Sequence, residues 1–145
     1  MSLFVLDASV AAKWFLPPEK EPLAQEAWNI LKQFQGDELR LIVPDLFWAE
    51  LTNMLWKVVR QGRCERSAAE SALAMFRRLQ LPTMSSANLI ELAFSLACAQ
   101  ARTVYDCIYV ALALESKATL LTADEKLANA LAGSFPIKFL GAVSF

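Results

Sequence analysis

The chain has 145 residues, 56% of them hydrophobic, with 4 glycines, 6 prolines and a formal net charge of −1. That length and composition exclude a disordered or disulfide-stapled chain and predict one domain over residues 1–145 with an ordinary buried core. Histidine is absent, which excludes Ser-His and Cys-His nucleophiles, imidazole general bases and every His-containing zinc site. Chemistry on this chain must come from carboxylates, hydroxyls, Lys or Arg, or a hard metal ion. Cys64, Cys98 and Cys107 are odd in number and lack metal-type spacing, which fits a reducing, cytoplasmic compartment. No uncharged apolar run reaches the roughly 18 residues a membrane span needs, and no basic stretch precedes the first apolar run as in a signal peptide.

Leu3-Phe4-Val5-Leu6 reads as a strand buried on both faces, ending at Asp7. Ser9 offers an N-cap for a helix over Val10 to Leu16, which Pro17-Pro18 breaks. Pro22 starts a helix to about Gln35, with Leu23, Ala27, Ile30, Leu31 and Phe34 on one stripe. After the Gly36-Asp37 turn, Leu39 to Val43 form a second strand closed by Pro44. Asp45 is the expected N-cap of a long helix to Arg60, closed by Gly62 and apolar around most of its circumference. Ser67 to Leu79 is a further helix, and Gln80 to Thr83 is at best a short edge strand because of Pro82. Ser85 or Ser86 caps a helix to about Ala101, and Asp106 opens another to about Ser116. Thr119 to Thr122 is a buried strand, Asp124 to Leu131 a helix, and Ile137 to Leu140 a last strand. Strands separated by helices imply an α/β fold: a short parallel sheet with right-handed crossovers and helices on both faces.

The acids at element boundaries form a pattern. In a parallel sheet all strand carboxyl ends share one edge, which places Asp7 and Asp124 together, and the helix headed by Asp106 begins on the same side. Glu50 lies mid-helix among Phe47, Trp48, Leu51 and Met54, where an unpaired carboxylate needs a cation or a proton. Converging carboxylates without histidine suit Mg²⁺ or Mn²⁺. Such ions activate water and stabilise an in-line phosphodiester displacement. The competing reading makes Asp106 and Asp124 helix caps, leaves Glu50 half-exposed and gives Asp7 a turn to support. The overall charge does not oppose a nucleic-acid partner: neutralising four of the 15 acids leaves 11 against 14 basic residues, a balance of +3.

Four motifs carry a resemblance over nearly the whole length. They are Val5-Leu6-Asp7-Ala8-Ser9, Pro44 through Glu50-Leu51-Thr52-Asn53, Tyr105-Asp106-Cys107-Ile108-Tyr109-Val110-Ala111-Leu112-Ala113, and Leu121-Thr122-Ala123-Asp124-Glu125-Lys126-Leu127. In this order the chain resembles a PIN-domain ribonuclease of the VapC toxin type. The resemblance implies a PIN-like three-layer α/β fold and a Mg²⁺- or Mn²⁺-dependent endoribonuclease. Asp7, Glu50, Asp106 and Asp124 would then hold the metal, Ser9 and Thr122 would be nearby catalytic hydroxyls, and Asn53 would support the ligands from behind. It also implies an RNA substrate, a homodimer and a small antitoxin partner.

Lys13, Lys57, Arg60 and Arg63, with Arg66 beside them, are candidate RNA contacts, although cations also suit helix C-termini without any ligand. Trp14, Trp28, Phe47, Trp48, Trp56 and Phe76 should be mostly core, with the surplus apolar surface of the Asp45–Arg60 helix left for a partner. Two other functions stay open at this level. One is a phosphotransfer protein with Asp7 as nucleophile, although Ser9 stands where the phosphatase pattern has a second acid. The other is a non-catalytic scaffold that binds RNA or protein.

Overall fold

The computed structural model describes residues 1–144; Phe145, the last residue of the expected domain, lies outside the described residues. The first apolar run forms strand β1 (Leu3–Leu6), in which Phe4, Val5 and Leu6 are all buried. Successive strand side chains point to opposite faces, so three buried neighbours in a row require cover on both sides of the sheet. The helix that follows is shorter and earlier than expected: α1 covers Ala8–Ala11 and a 3₁₀ turn continues it through Ala12–Trp14. Its cap is Asp7 and not Ser9. Asp7 leaves the strand in extended geometry (φ −73°, ψ 143°) and accepts from the Ser9 amide at 3.4 Å, whereas Ser9 already lies inside the helix.

Helix α2 (Ala24–Gln35) starts two residues beyond Pro22 because Leu23 adopts a left-handed conformation (φ 60°). Strand β2 (Arg40–Pro44) leads to α3 (Leu46–Arg60), which Gly62 (φ 71°) follows. Asp45 does not cap α3. Its backbone is helical, and its carboxylate accepts from the amide (3.1 Å) and hydroxyl of Ser86, tying the start of α3 to the 3₁₀ turn Ser86–Leu89. Helix α4 (Arg66–Arg78) precedes a two-residue edge strand, β3 (Thr83–Met84), which Pro82 shortens. Next come α5 (Ile90–Gln100) and α6 (Val104–Ser116), then β4 (Thr119–Thr122), α7 (Glu125–Leu131) and β5 (Ile137–Phe139).

All four strand pairings are parallel, and the strand order is β3-β2-β1-β4-β5. Among the described residues, seven α-helices flank this five-stranded sheet. Helix α6 is buried continuously from Cys107 to Ala113, because it packs over β1, β2 and β4 on one side and along α5 on the other. The chain runs outward from β1 to β2 and β3, then returns to place β4 on the other flank of β1. The β1/β4 boundary is therefore the switch point, where open α/β sheets form their crevice beyond the strand carboxyl ends. Among the described residues no helix is long and apolar enough to cross a membrane, and all three cysteines are free.

Candidate metal site at the carboxyl edge of the sheet

Leu6 is in register with Leu121, and the Asp7 amide extends the ladder to the Leu121 carbonyl at 3.0 Å, so Asp7 stands beside Thr122 at the switch point. Thr122, fully buried, donates to Asp7 Oδ2 at 2.7 Å, and Ser9 Oγ donates to the same oxygen at 3.0 Å. Both hydroxyls also accept: Thr122 from the Asp124 amide (3.0 Å) and Ser9 from the Ala123 amide (3.1 Å). The two hydroxyls thus stitch the β1–α1 turn to the β4–α7 turn through one carboxylate. This arrangement argues against Asp7 as a phosphoryl acceptor, since its Oδ2 is already shared by two donors and Oδ1 faces the Ser9 amide.

Burial pushes the Asp7 carboxyl above its ordinary value; the Thr122 and Ser9 bonds oppose the rise, and the charge of Asp106 adds to it. Glu50 projects from α3 and is half-buried. Its carboxyl is also raised, first by burial and then by the charges of Asp7 and Asp106, against the pull of a bond from Tyr109. Asp106 is the third residue of α6, and the cap is Thr103, whose Oγ1 accepts the Asp106 amide at 3.1 Å. That frees the Asp106 carboxylate from capping. Its value is raised by burial and by Asp124, while Arg102 and Thr103 oppose the shift. Asp124 does cap α7, accepting the Leu127 amide at 3.1 Å.

The four carboxylates therefore feel one another's fields at one edge of the sheet, Asp7, Asp106 and Asp124 from element boundaries and Glu50 from within α3. They do not converge as a ligand set: among the described residues, no three His, Cys, Asp or Glu side chains are arranged to hold a metal ion. The physical reason lies in their partners. Asp7, Glu50 and Asp124 are each engaged by protein donors, and like charges resist closer approach without a cation. The donor chemistry nonetheless fits a hard divalent cation, being all carboxylate oxygen with three members held above their ordinary values.

Two groups here were missed by sequence reasoning. Tyr109, one helical turn after Asp106, donates to Glu50 Oε1 at 2.6 Å; burial and the charges of Asp7 and Glu50 push its phenol far above the ordinary range, so it remains a donor. The signal was a hydroxyl inside the apolar run Cys107 to Ala113, three residues from an acid. Arg102 is the second. It donates to the Lys126 carbonyl at 2.9 Å while its charge reaches Asp106, which puts a cation at the rim of the acidic site.

The other predicted residues fall outside this cluster of bonds. Lys13 is a correction: it is buried, with Nζ bound to Glu21 Oε1 at 2.8 Å and to the Pro22 carbonyl at 2.7 Å, so it ties the Pro17–Pro22 segment to the 3₁₀ turn and has no free charge for RNA. Asn53 is exposed one turn beyond Glu50, and Lys57 is exposed further along α3. Arg60 lies over the Trp56 ring at 5.5 Å, and Arg63 lines a cavity of about 310 Å³ with Phe15, Lys20 and Cys64. Arg66 is paired with Glu70 at 2.8 Å on the surface. Trp14, Phe47 and Phe76 are core as expected, Trp28 and Trp48 are half-buried, and Trp56 is 53% exposed.

The PIN domain family model matches residues 4–131 of the chain. Ribonuclease VapC3 of Pyrobaculum aerophilum is 36% identical over 129 residues, covering 86% of this chain and 92% of that protein. Among solved structures, PAE2754 from Pyrobaculum aerophilum superposes with a TM-score of 0.70 at 24% identity, covering 97% of this chain and 85% of that one. VapBC2 from Rickettsia felis, bound to a DNA fragment from its promoter, does so with a TM-score of 0.64 at 13% identity, covering 94% and 98%. The fold likeness, the 36% identity and a family match that spans β1 through α7 agree: this chain belongs to the PIN-domain family.

Proposed function

We propose that the protein is a divalent-metal-dependent endoribonuclease and the toxin of a toxin–antitoxin pair, with RNA as substrate and a small antitoxin as partner. The observation that carries this reading is the 36% identity to a VapC ribonuclease along a chain whose acids Asp7, Glu50, Asp106 and Asp124 share one electrostatic site. Asp7, Glu50, Asp106 and Asp124 would hold Mg²⁺ or Mn²⁺, which supplies, when bound, activation of water and charge neutralisation at the scissile phosphodiester.

The chain's own residues do the rest. Ser9 and Thr122 aim Asp7 and keep the two flanking turns together. Arg102 offers its remaining N–H groups to a phosphate oxygen beside Asp106, and Arg60 and Arg63 attract the RNA backbone from α3 and the loop after it. Asn53, one turn from Glu50, supports the ligands from α3. The surplus apolar surface around Trp56 is where a second copy or the antitoxin docks.

The test is cleavage of a mixed pool of structured RNAs by purified protein with Mn²⁺, with Mg²⁺ and with chelator, beside Asp7→Asn. Loss of even an outer partner of a metal ligand typically costs about 10–100-fold, so loss of the ligand should cost at least about 100-fold. Discrete fragments that require metal and disappear in the variant are expected. Equal cleavage by Asp7→Asn and wild type would remove Asp7 from the site.

A further inference from the structure

We propose that Tyr109 is the positioning residue for Glu50, setting the affinity of the acidic site for its divalent cation; this rests on the nuclease reading above. Tyr109 is 3% exposed within a helix whose neighbouring positions, Cys107, Ile108, Val110, Ala111, Leu112 and Ala113, are all buried. A ring kept only for packing has no use for a hydroxyl there, since a buried hydroxyl without partners costs free energy. This one has two partners, and both belong to the site. It donates to Glu50 Oε1 at 2.6 Å and accepts from the backbone of Ala8, the residue after Asp7.

One phenol therefore connects three separate elements: α6, which carries Asp106, α3, which carries Glu50, and the turn that carries Asp7. Glu50 has no other hydrogen-bond or ion-pair partner among the described residues, so its rotamer is set by this bond. Bonds of this kind orient ligating carboxylates, and their loss typically weakens metal affinity by about 10–100-fold. Phe preserves the ring and its packing, removes the donor and releases the Glu50 carboxylate into several rotamers.

The experiment is a Mn²⁺ titration of Tyr109→Phe, Glu50→Gln, the double variant and wild type, read by calorimetry and by the electron paramagnetic resonance of free Mn²⁺. Tyr109→Phe should bind Mn²⁺ about 10–100-fold more weakly, and RNA cleavage should recover as Mn²⁺ is raised, with the midpoint moved by the same factor. In the Glu50→Gln background the added Tyr109→Phe change should have almost no further effect on Mn²⁺ affinity. Equal Mn²⁺ affinity in Tyr109→Phe and wild type, or a full loss that persists without Glu50, overturns the assignment. Absence of Mn²⁺ binding by wild type would instead overturn the acidic-site reading, and the positioning role with it. Should Tyr109→Phe fold poorly, wild type itself serves: the chain has two tyrosines, and the ¹³Cζ resonance of Tyr109 should shift on Mg²⁺ addition. A Tyr109 signal that ignores saturating Mg²⁺ would count against the proposal.

Discussion

At Asp7 burial and hydrogen bonding pull in opposite directions. Three donors favour the charged form, yet burial outweighs them and leaves the carboxyl raised. The native state therefore holds more protons than the unfolded chain above the ordinary carboxyl range near pH 4, and the unfolding free energy must fall as pH rises through that window. Glu50 and Asp106 act in the same direction. For Asp7→Asn in the absence of metal, the melting temperature should equal or exceed that of wild type at pH 7. The advantage should shrink as pH falls toward about 4. Each kcal/mol of relief corresponds to roughly 2–4 °C in a chain of this size. An Asn oxygen can keep the Ser9 and Thr122 hydroxyl bonds, so only the long bond from the Ser9 amide is given up. Thermal melts of both proteins across pH check this; a variant destabilised at every pH would show that the bonds outweigh the burial after all.

At the scale of elements, caps were the least legible feature and strands the most. β1 and β4 fall at the bounds read from the sequence, Leu3–Leu6 and Thr119–Thr122, because a short strand buried on both faces stands out as a run of apolar and β-branched residues. Capping depends on where the backbone leaves the extended region and on what else competes for the side chain. Ser9 is drawn to the Ala123 amide, 114 positions away, Asp45 to Ser86, and Thr103 takes the capping role that the competing reading gave to Asp106. Lys13 follows the same logic, since its partners Glu21 and Pro22 come into reach only once the segment between them folds back. Removing one partner of a buried pair leaves the other unsatisfied. Lys13→Ala should therefore cost about 3 kcal/mol in denaturant unfolding and leave RNA affinity unchanged. A stable variant with weakened RNA binding would restore Lys13 to the nucleic-acid surface.

For the whole molecule, electrostatics separates the two surfaces that matter. The acids occupy the carboxyl edge of the sheet, while Arg60 and Arg63 lie at the far end of α3 and just beyond it. Replacing Arg60 and Arg63 by Gln, in an Asp7→Asn background that cannot cleave, should weaken RNA binding. The slope of log affinity against log salt should fall by about 1.4, or roughly 0.7 for each single-strand phosphate that is no longer neutralised. An unchanged slope would return both residues to the role of helix-end cations. The exposed apolar side chains, Trp56, Met75, Phe94 and Tyr105 among them, predict self-association. Sedimentation at micromolar concentration should find a dimer, and a monomer that binds no hydrophobic dye would count against an interface there.

The sequence by itself determined the α/β class, the parallel sheet, the acids at its carboxyl edge and, through the missing histidine, the exclusion of imidazole chemistry. All of these follow from local periodicity, residue type and strand direction, which need no knowledge of distant neighbours. Tertiary structure alone decided that Asp7 is gripped by Thr122 and Ser9, that Tyr109 holds Glu50, that Arg102 reaches the rim and that Lys13 is an internal tie. Each of those joins groups that the chain path must first bring together, and whether two such groups meet depends on strand order and on burial, which no local stretch of residues encodes.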